Sequence, residues 1–341
     1  EYSKEFGKVS KEELQLEEYS NDPSAEAFVL YDIGESNFIR NGNGFNIHYK
    51  RRTRIKILST EGLKYAEIEI PFYNEGNIFE KISDIEAYTY NYNYGRIEKT
   101  RLKPSSVYSE KKSKNWYVKK FAMPNVKEGS VIEYRYKIES SYKFNLRDWE
   151  FQRKIPTLYS KFIVGMNPFY NYQWLLQGAK KFDHYNTYVE KGIEKQFGRV
   201  SYNDKIFEFL MEDVPAFTDE KYLTSINDYI IKLDFQLAKI NYPSGQTKEI
   251  VSTWPEMIDD FNDQKDFGKY IKRSERLANR VLNLDELEQI PPEERFDQIV
   301  TLVKENYKWN GHVDKYATKS HRDFYRDKHG NVAEINLFLI G

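Results

Sequence analysis

The sequence contains no cysteine. That excludes a disulfide framework and any thiolate chemistry, although it does not fix the compartment. Long apolar runs are missing too: no stretch approaches the ~20 residues needed to cross a bilayer, so no membrane span is expected. Neither sign of charge dominates. With 52 basic and 53 acidic side chains the formal net charge is −1. Such a balance gives no global field to hold a phosphate backbone, and nucleic acid is not an expected partner. A Gly-rich phosphate loop, a serine elbow, a His-Glu-x-x-His pair and a dinucleotide fingerprint are all absent from the sequence. Asn41-Gly42-Asn43-Gly44 lacks a third glycine and a following helix, and reads as a turn. The chain opens on Glu1-Tyr2-Ser3-Lys4 without an initiator Met or an apolar signal core. A removed targeting segment or a trimmed chain is the expectation there. Internal repeats, low-complexity tracts and long linkers are also missing.

What is present is a chain of 341 residues, long enough for two domains. Hydrophobic residues make up 40% and charged residues 31%, the balance of a folded protein rather than a disordered one. Aromatics reach 16%, with 28 tyrosines among them. Tyrosine suits pleated, half-buried surfaces, so this composition reads first as β-sheet. It could also supply stacking platforms for sugars.

From about residue 26 to residue 243 the hydrophobic period is mostly two. In Ile132-Glu133-Tyr134-Arg135-Tyr136-Lys137-Ile138 apolar and charged residues alternate without a break, as in a strand with one face buried and one wet. Ala66, Ile68, Ile70 and Phe72 form another apolar row opposite Glu67 and Glu69. Tyr49, Thr53, Ile55 and Ile57 share one side of a further strand, with Lys50, Arg52, Arg54 and Lys56 on the other. Asn-Gly between two extended runs at 41–44 is a strong hairpin signal. Further strands are predicted near 79–90, 96–103, 115–122, 159–165, 206–212 and 227–240. The expected fold class is mainly β, a large antiparallel β-sandwich.

From Trp254 onward the spacing turns helical. Leu277, Val281, Leu284 and Leu287 recur at three- and four-residue steps. Pro291-Pro292-Glu293-Glu294 is a good helix start, with Phe296, Ile299, Val300, Val303 and Tyr307 on one side of the helix it opens. The expected division is a β domain over residues 1–245 and a smaller, mainly helical α+β domain over 246–341. The last stretch, Val332 to Gly341, begins like a buried helix and ends in Leu-Phe-Leu-Ile-Gly. Large apolar residues without a partner there lead to the expectation that the natural polypeptide continues.

Three clusters are candidates for chemistry. His312, His321 and His329, with Asp314, Asp323 and Glu334 nearby, could form a metal site, but their spacing fits no compact ligand set. A solvated polar loop, with no metal and no cofactor, is the expected reading. The row Lys50, Arg52, Arg54 and Lys56 could hold an anionic glycan or a phosphate. The plainer reading is a wet sheet face whose charges pair with Glu67 and Glu69 on a neighbouring strand. Asp259-Asp260 and Glu12-Glu13 point apart on a helix or a strand and define no acid–base pair.

Several stretches together resemble an uncharacterised bacterial domain family found ahead of transglutaminase-like domains. They are Asp22-Pro23-Ser24-Ala25-Glu26-Ala27 with Val29-Leu30-Tyr31-Asp32, then Arg54 to Leu58, Met123 to Tyr134, and Asp148 to Gln152. The C-terminal part resembles the entry to a transglutaminase fold. Tyr307-Lys308-Trp309-Asn310-Gly311 follows a long helix, and Gly330-Asn331-Val332-Ala333-Glu334 stands where that family carries Gly-x-Cys-x-Asp. The resemblance implies a thiolate at a helix start, supported by a downstream His and Asp. Here the nucleophile position is Val332, which has neither a lone pair nor a proton to offer, so no catalytic residue is expected. Trp309, Asn331, Glu334 and Asn336 would line whatever cleft is left. The expectation is therefore a non-catalytic, exported protein of the periplasm or cell envelope that binds a protein, peptide or glycan. Two alternatives stand beside it. One is a transglutaminase-like cysteine protease or amide transferase seen as an inactive piece. The other is a carbohydrate-binding module using Trp116, Trp149 or Trp174.

Overall fold

The computed structural model describes residues 2–42, 44–76, 78–143, 146–192, 194–218, 225–250, 254–282, 286–287 and 289–341. The chain is mainly β, with 44% strand and 22% helix, and the helices gather in the C-terminal part. It divides into two compact units, Glu1–Val251 and Ser252–Gly341.

The strands of the first unit, in chain order, are β1 (Ala27–Asn41), β2 (Gly44–Ile57), β3 (Glu67–Glu75), β4 (Ile78–Asn93), β5 (Arg96–Arg101), β6 (Tyr108–Lys111), β7 (Trp116–Ala122) and β8 (Val131–Ser140). There follow β9 (Trp149–Glu150), β10 (Thr157–Met166), β11 (Tyr170–Gln177), β12 (His184–Val189), β13 (Lys195–Phe197), β14 (Val200–Tyr202), β15 (Lys205–Val214), β16 (Lys232–Asn241) and β17 (Thr247–Glu249). An eleven-stranded sheet runs in the order β12-β15-β10-β1-β2-β8-β4-β3-β7-β6, with β5 beside β4. A smaller sheet pairs β11, β16 and β17, with β9 beside β16. Neighbours in the large sheet are antiparallel except β1 and β10, which run parallel from Val29–Thr157 to Asn37–Gly165. The antiparallel expectation misses this pair because alternation reveals faces and not partners. At the hairpin expected over 41–44, Asn41 pairs with Gly44 and Gly42 takes a positive φ of 56°; Asn43 lies outside the described residues.

The two faces of the large sheet have different covers. A β-bulge between Val29 and Tyr31 shifts the parity of β1. Ala27 and Val29 reach the main core before it, and Phe38 reaches the same core after it. On that inner face Tyr49, Ile55, Ile57, Tyr134, Ile138, Phe162 and Phe209 pack with Trp149, Leu233, Phe235 and Leu237 of the smaller sheet. Trp149 is 1% exposed, stacks on Phe162 at 5.0 Å and donates from Nε1 to Ser160 Oγ at 3.0 Å. Gly34 lies beneath it, where any Cβ would overlap the indole.

Part of the outer face is covered by the N-terminal segment. Its short helix α1 (Lys11–Leu14) is closed by a capping box between Ser10 and Glu13. Leu14 and Tyr19 pack on Phe28, Leu30, Tyr90 and Val131. This cover buries side chains that alternation assigns to solvent. Arg54, Lys56 and Glu133 have no exposed surface. Arg54 reaches Glu13 Oε1 and Glu133 Oε1 at 2.6 Å each, and donates to the carbonyls of Ser3 at 2.8 Å and Glu5 at 2.9 Å. Tyr31 and Tyr90 donate their hydroxyls to Glu133. Burial opposes the charge on Arg54, but Glu133, Tyr31 and Glu13 outweigh it and hold its pKa above the ordinary value.

Lys56 has a weaker arrangement. Its ammonium donates to the carbonyls of Leu14 and Gly129 at 2.7 Å each, and burial lowers its pKa to about 8. With the folded pKa below the unfolded one, the native state holds fewer protons than the unfolded chain between pH 8 and about 10.4. This group therefore adds stability as pH rises through that window. Relative to the wild type, Lys56→Met is expected to lose on the order of 1 kcal/mol per pH unit there. Urea unfolding of both proteins at pH 7, 8, 9 and 10 measures it, and a constant difference would refute it.

The second unit holds α2 (Trp254–Asp263), α3 (Gly268–Val281), α4 (Pro292–Asn306), α5 (His321–Asp327) and α6 (Val332–Ile340), with two-residue strands β18 (Lys308–Trp309) and β19 (His329–Gly330) running parallel. The helical run through Leu277, Val281, Leu284 and Leu287 does not continue as one helix. α3 stops at Val281, Leu282 is extended, and residue 284 lies outside the described residues. On α4 the apolar side divides: Val303 and Tyr307 are buried with Phe324, whereas Phe296 is 65% exposed. Among the terminal apolar residues Leu337 is buried, Phe338 packs on Tyr307 and Phe324, and Ile340 is exposed. Below them lies an open apolar cavity of about 390 Å³ bounded by α3, α4 and α6.

Candidate functional site

A broad concavity lies on the outer face of the large sheet, beyond the N-terminal segment. It is a groove of about 610 Å³ whose lining includes Ile33, Glu35, Lys50, Arg52, Asp84, Glu86, Arg101, Arg135 and Lys137. Backbone pairing sets its charge pattern. β2 and β8 place Lys50 opposite Lys137 and Arg52 opposite Arg135. Like charges directly opposite one another destabilise a sheet, so four cations in such a block need compensation. Acids on the flanking strands supply most of it. Lys50 lies 3.8 Å from Glu35, Lys137 lies 2.8 Å from Asp84, and Glu86 accepts from Arg135 Nε at 2.7 Å while lying 3.6 Å from Arg101. Arg52 is different. Its side chain has no ion pair or hydrogen bond among the described residues, and its Nε is buried without a partner.

The row Lys50, Arg52, Arg54 and Lys56 thus shares one side of β2, as its alternation requires, but splits in two. Lys50 and Arg52 line the groove, whereas Arg54 and Lys56 are sealed beneath residues 3–16 and cannot meet a ligand. The expected pairing with Glu67 and Glu69 is corrected by topology. β2 lies between β1 and β8, and Glu69 pairs with Lys120 of β7 instead. No periodicity in the sequence could have located Glu13, Glu35 or Glu133 beside this row.

The helix start at position 332 is closely tied. Asn331 caps α6, accepting at Oδ1 from Glu334 N at 2.8 Å, while Glu334 Oε2 accepts from Asn331 N at 2.9 Å. Glu334 is fully buried, and its other oxygen accepts from Thr318 N, Thr318 Oγ1 and Lys319 N. Asn331 Nδ2 donates to Asp314 and to the carbonyl of Tyr316. Val332 N and Trp309 Nε1 both donate to the carbonyl of His312. Trp309, Asn331, Val332 and Glu334 therefore belong to one network, but Asn336 faces solvent on the exposed side of α6. Removing the cap by Asn331→Ala is expected to cost about 1 kcal/mol. Amide exchange along α6 should accelerate several-fold, and unchanged protection would count against the cap.

The histidines serve separate ends. His312 supplies the shared carbonyl, His321 opens α5 edge-on to Tyr270, and His329 stands in β19. Among the described residues no group of three or more metal-binding side chains forms, and no described helix is long and apolar enough to cross a membrane. Of the three candidate tryptophan platforms, Trp149 is excluded by burial. Trp116 packs edge-on against Tyr73, and Trp174 contacts Phe182, Tyr185 and Phe209; both remain partly exposed.

Comparison with solved structures finds the fold in a candidate protease from Parabacteroides distasonis. The two are 13% identical with a TM-score of 0.59, over 92% of this chain and 57% of that one. This chain therefore spans little more than half of that protein's length. A candidate nutrient-binding protein from Legionella pneumophila matches over 93% of this chain and 94% of its own, at 8% identity and a TM-score of 0.28. No curated protein matches the sequence. Residues 46–218, half of the chain and the greater part of the β-rich unit, match DUF3857, a domain of unknown function with a solved structure, and the chain belongs to that family.

Proposed function

We propose that this chain is a non-catalytic binding protein of the cell envelope, with its ligand site in the charged groove of the large sheet. The observation that carries this reading is the block of Lys50, Arg52, Arg135 and Lys137 on facing strands, in an open concavity of about 610 Å³. A fold gains nothing from setting like charges opposite one another, whereas a ligand site does. The second unit supports the non-catalytic half. Val332 occupies the position at which the transglutaminase-like resemblance expects a thiolate, and Glu334 beside it is saturated by donors. The envelope placement rests on the resemblance alone.

The test is to present the full chain with arrayed envelope peptides and oligosaccharides, alongside Lys50→Glu and Arg135→Glu variants. Binding that the variants lose supports the groove, and binding that they retain removes it. Ammonia release from glutamine-containing peptides by the wild-type chain would overturn the non-catalytic reading.

A second reading has one observation of its own. The chain shares its fold with a candidate protease, of which it covers 57%, and this favours the alternative of a transglutaminase-like cysteine protease or amide transferase. Reading the natural gene through codon 332 and past codon 341 separates the two. A cysteine codon there with His and Asp downstream favours the enzyme; a valine codon favours binding.

A further inference from the structure

We infer that the groove recognises a single carboxylate, held by the terminal nitrogens of the Arg52 guanidinium; this rests on the proposal that the groove is the ligand site. The charge balance around Arg52 points to the chemistry. Five of the six lining cations already have acids: Lys50 has Glu35, Arg51 has Asp32, Lys137 has Asp84, and Arg135 and Arg101 share Glu86. Among the described residues only Arg52 of these cations is left over, with Ile33 on one side of it in the sheet and Arg135 on the other. Its Nε is buried without a partner. The two terminal nitrogens of a guanidinium form a parallel fork that matches the two oxygens of a carboxylate, and neither is buried in Arg52 as its Nε is. A polyanion would need several free cations along its length, and this groove has one. The ligand class is therefore a molecule with one carboxylate next to a neutral body. Both a uronic acid sugar and a peptide carboxyl fit that description.

The neighbours of Arg52 sharpen the assignment. Arg54, two residues on along the same face, is fully committed to Glu13 and Glu133. It cannot turn outward, nor can its acids reach in to neutralise Arg52. Phe6 of the N-terminal segment lies under the Arg135 guanidinium at 4.4 Å and against Tyr88.

Titration of the full chain by NMR, observing arginine Nε–H signals, tests this with D-glucuronate, N-acetyl-glutamate and inorganic phosphate. The neutral controls are D-glucose and N-acetyl-glutamine. The expected result is a saturable shift of the Arg52 signal with one or both carboxylates and none with the neutral partners. Arg52→Gln should weaken the binding at least tenfold, and Arg52→Lys should weaken it less, since the charge stays and the fork is lost. Whichever carboxylate binds identifies the source, sugar or peptide. If the neutral analogues bind equally well and shift groove residues, the groove stands as a ligand site and the carboxylate assignment falls. Tighter binding of phosphate than of either carboxylate overturns the assignment as well. If no probe perturbs the groove, and the arrays show no binding there, both proposals fall.

Discussion

Arg54→Ala is expected to lower the stability of the β-rich unit by about 3–5 kcal/mol, the range for breaking a buried ion pair from one side. At roughly 2–4 °C per kcal/mol for a unit of this size, the melting point should fall on the order of 10 °C. The reason is what would remain. Glu13 and Glu133 are both fully buried, and each has Arg54 as its cation. Removing the guanidinium strands two carboxylates in a low-dielectric site and releases the carbonyls of Ser3 and Glu5. It should also loosen residues 2–16, which then dock without their central tie. Replacing Arg54, Glu13 and Glu133 together by apolar residues of similar volume should cost less than the single change. Urea unfolding of the single and triple variants decides it. A single-variant loss under about 1 kcal/mol would show that water reaches the cluster.

Trp149→Ala should be as costly, about 3–5 kcal/mol, because the cavity left in a packed core closes only in part. The indole is clamped between Phe162 on one side and the Arg51 guanidinium, 4.6 Å away, on the other. Arg51 in turn pairs with buried Asp32, which also takes Arg153 and Thr53. Burial works against the Asp32 charge, but the two arginines prevail and hold its pKa below the ordinary value. Losing Trp149 therefore opens a void and lets water to that ion network. Gly34→Ala alone should also destabilise, since its Cβ meets the indole. Combined with Trp149→Ala it fills part of the hole, so the pair should cost less than the sum of its members. Chemical denaturation of the two single variants and the double variant gives the coupling directly. Strict additivity would mean that the backbone at residue 34 shifts freely.

The sequence shows which residues share a side, and does so well. β2 and β8 alternate as read, and the parity of Tyr49, Thr53, Ile55 and Ile57 is that of the core. What it does not show is what lies above each side. Lys50 and Lys56 have the same parity and similar chemistry, yet one lines a groove and the other is sealed. The difference comes from residues 2–16, whose docking depends on Ser3, Glu5 and Glu13 meeting Arg54 far along the chain. Only α1, with its Ser10–Glu13 capping box, has a local signal. Likewise, the transglutaminase-like resemblance makes Asn331 and Glu334 candidate cleft residues. Their tertiary partners Thr318, Lys319 and Asp314 make them a closed cap instead.

The parallel pairing of β1 with β10 has a consequence for biogenesis. β1 is central in the large sheet, yet Val29 must wait for Thr157 before its second edge is covered. At ribosomal rates of roughly 5–20 residues per second, that wait lasts on the order of 10 s. During it the nascent β1–β2 hairpin shows an unpaired edge rich in Phe, Val, Leu and Ile to everything around it. Non-local pairing of this kind also slows closure once the whole strand set exists. The emerging chain is therefore a natural client for holding chaperones, with the unpaired edge of β1 as a site for aggregation under crowded expression.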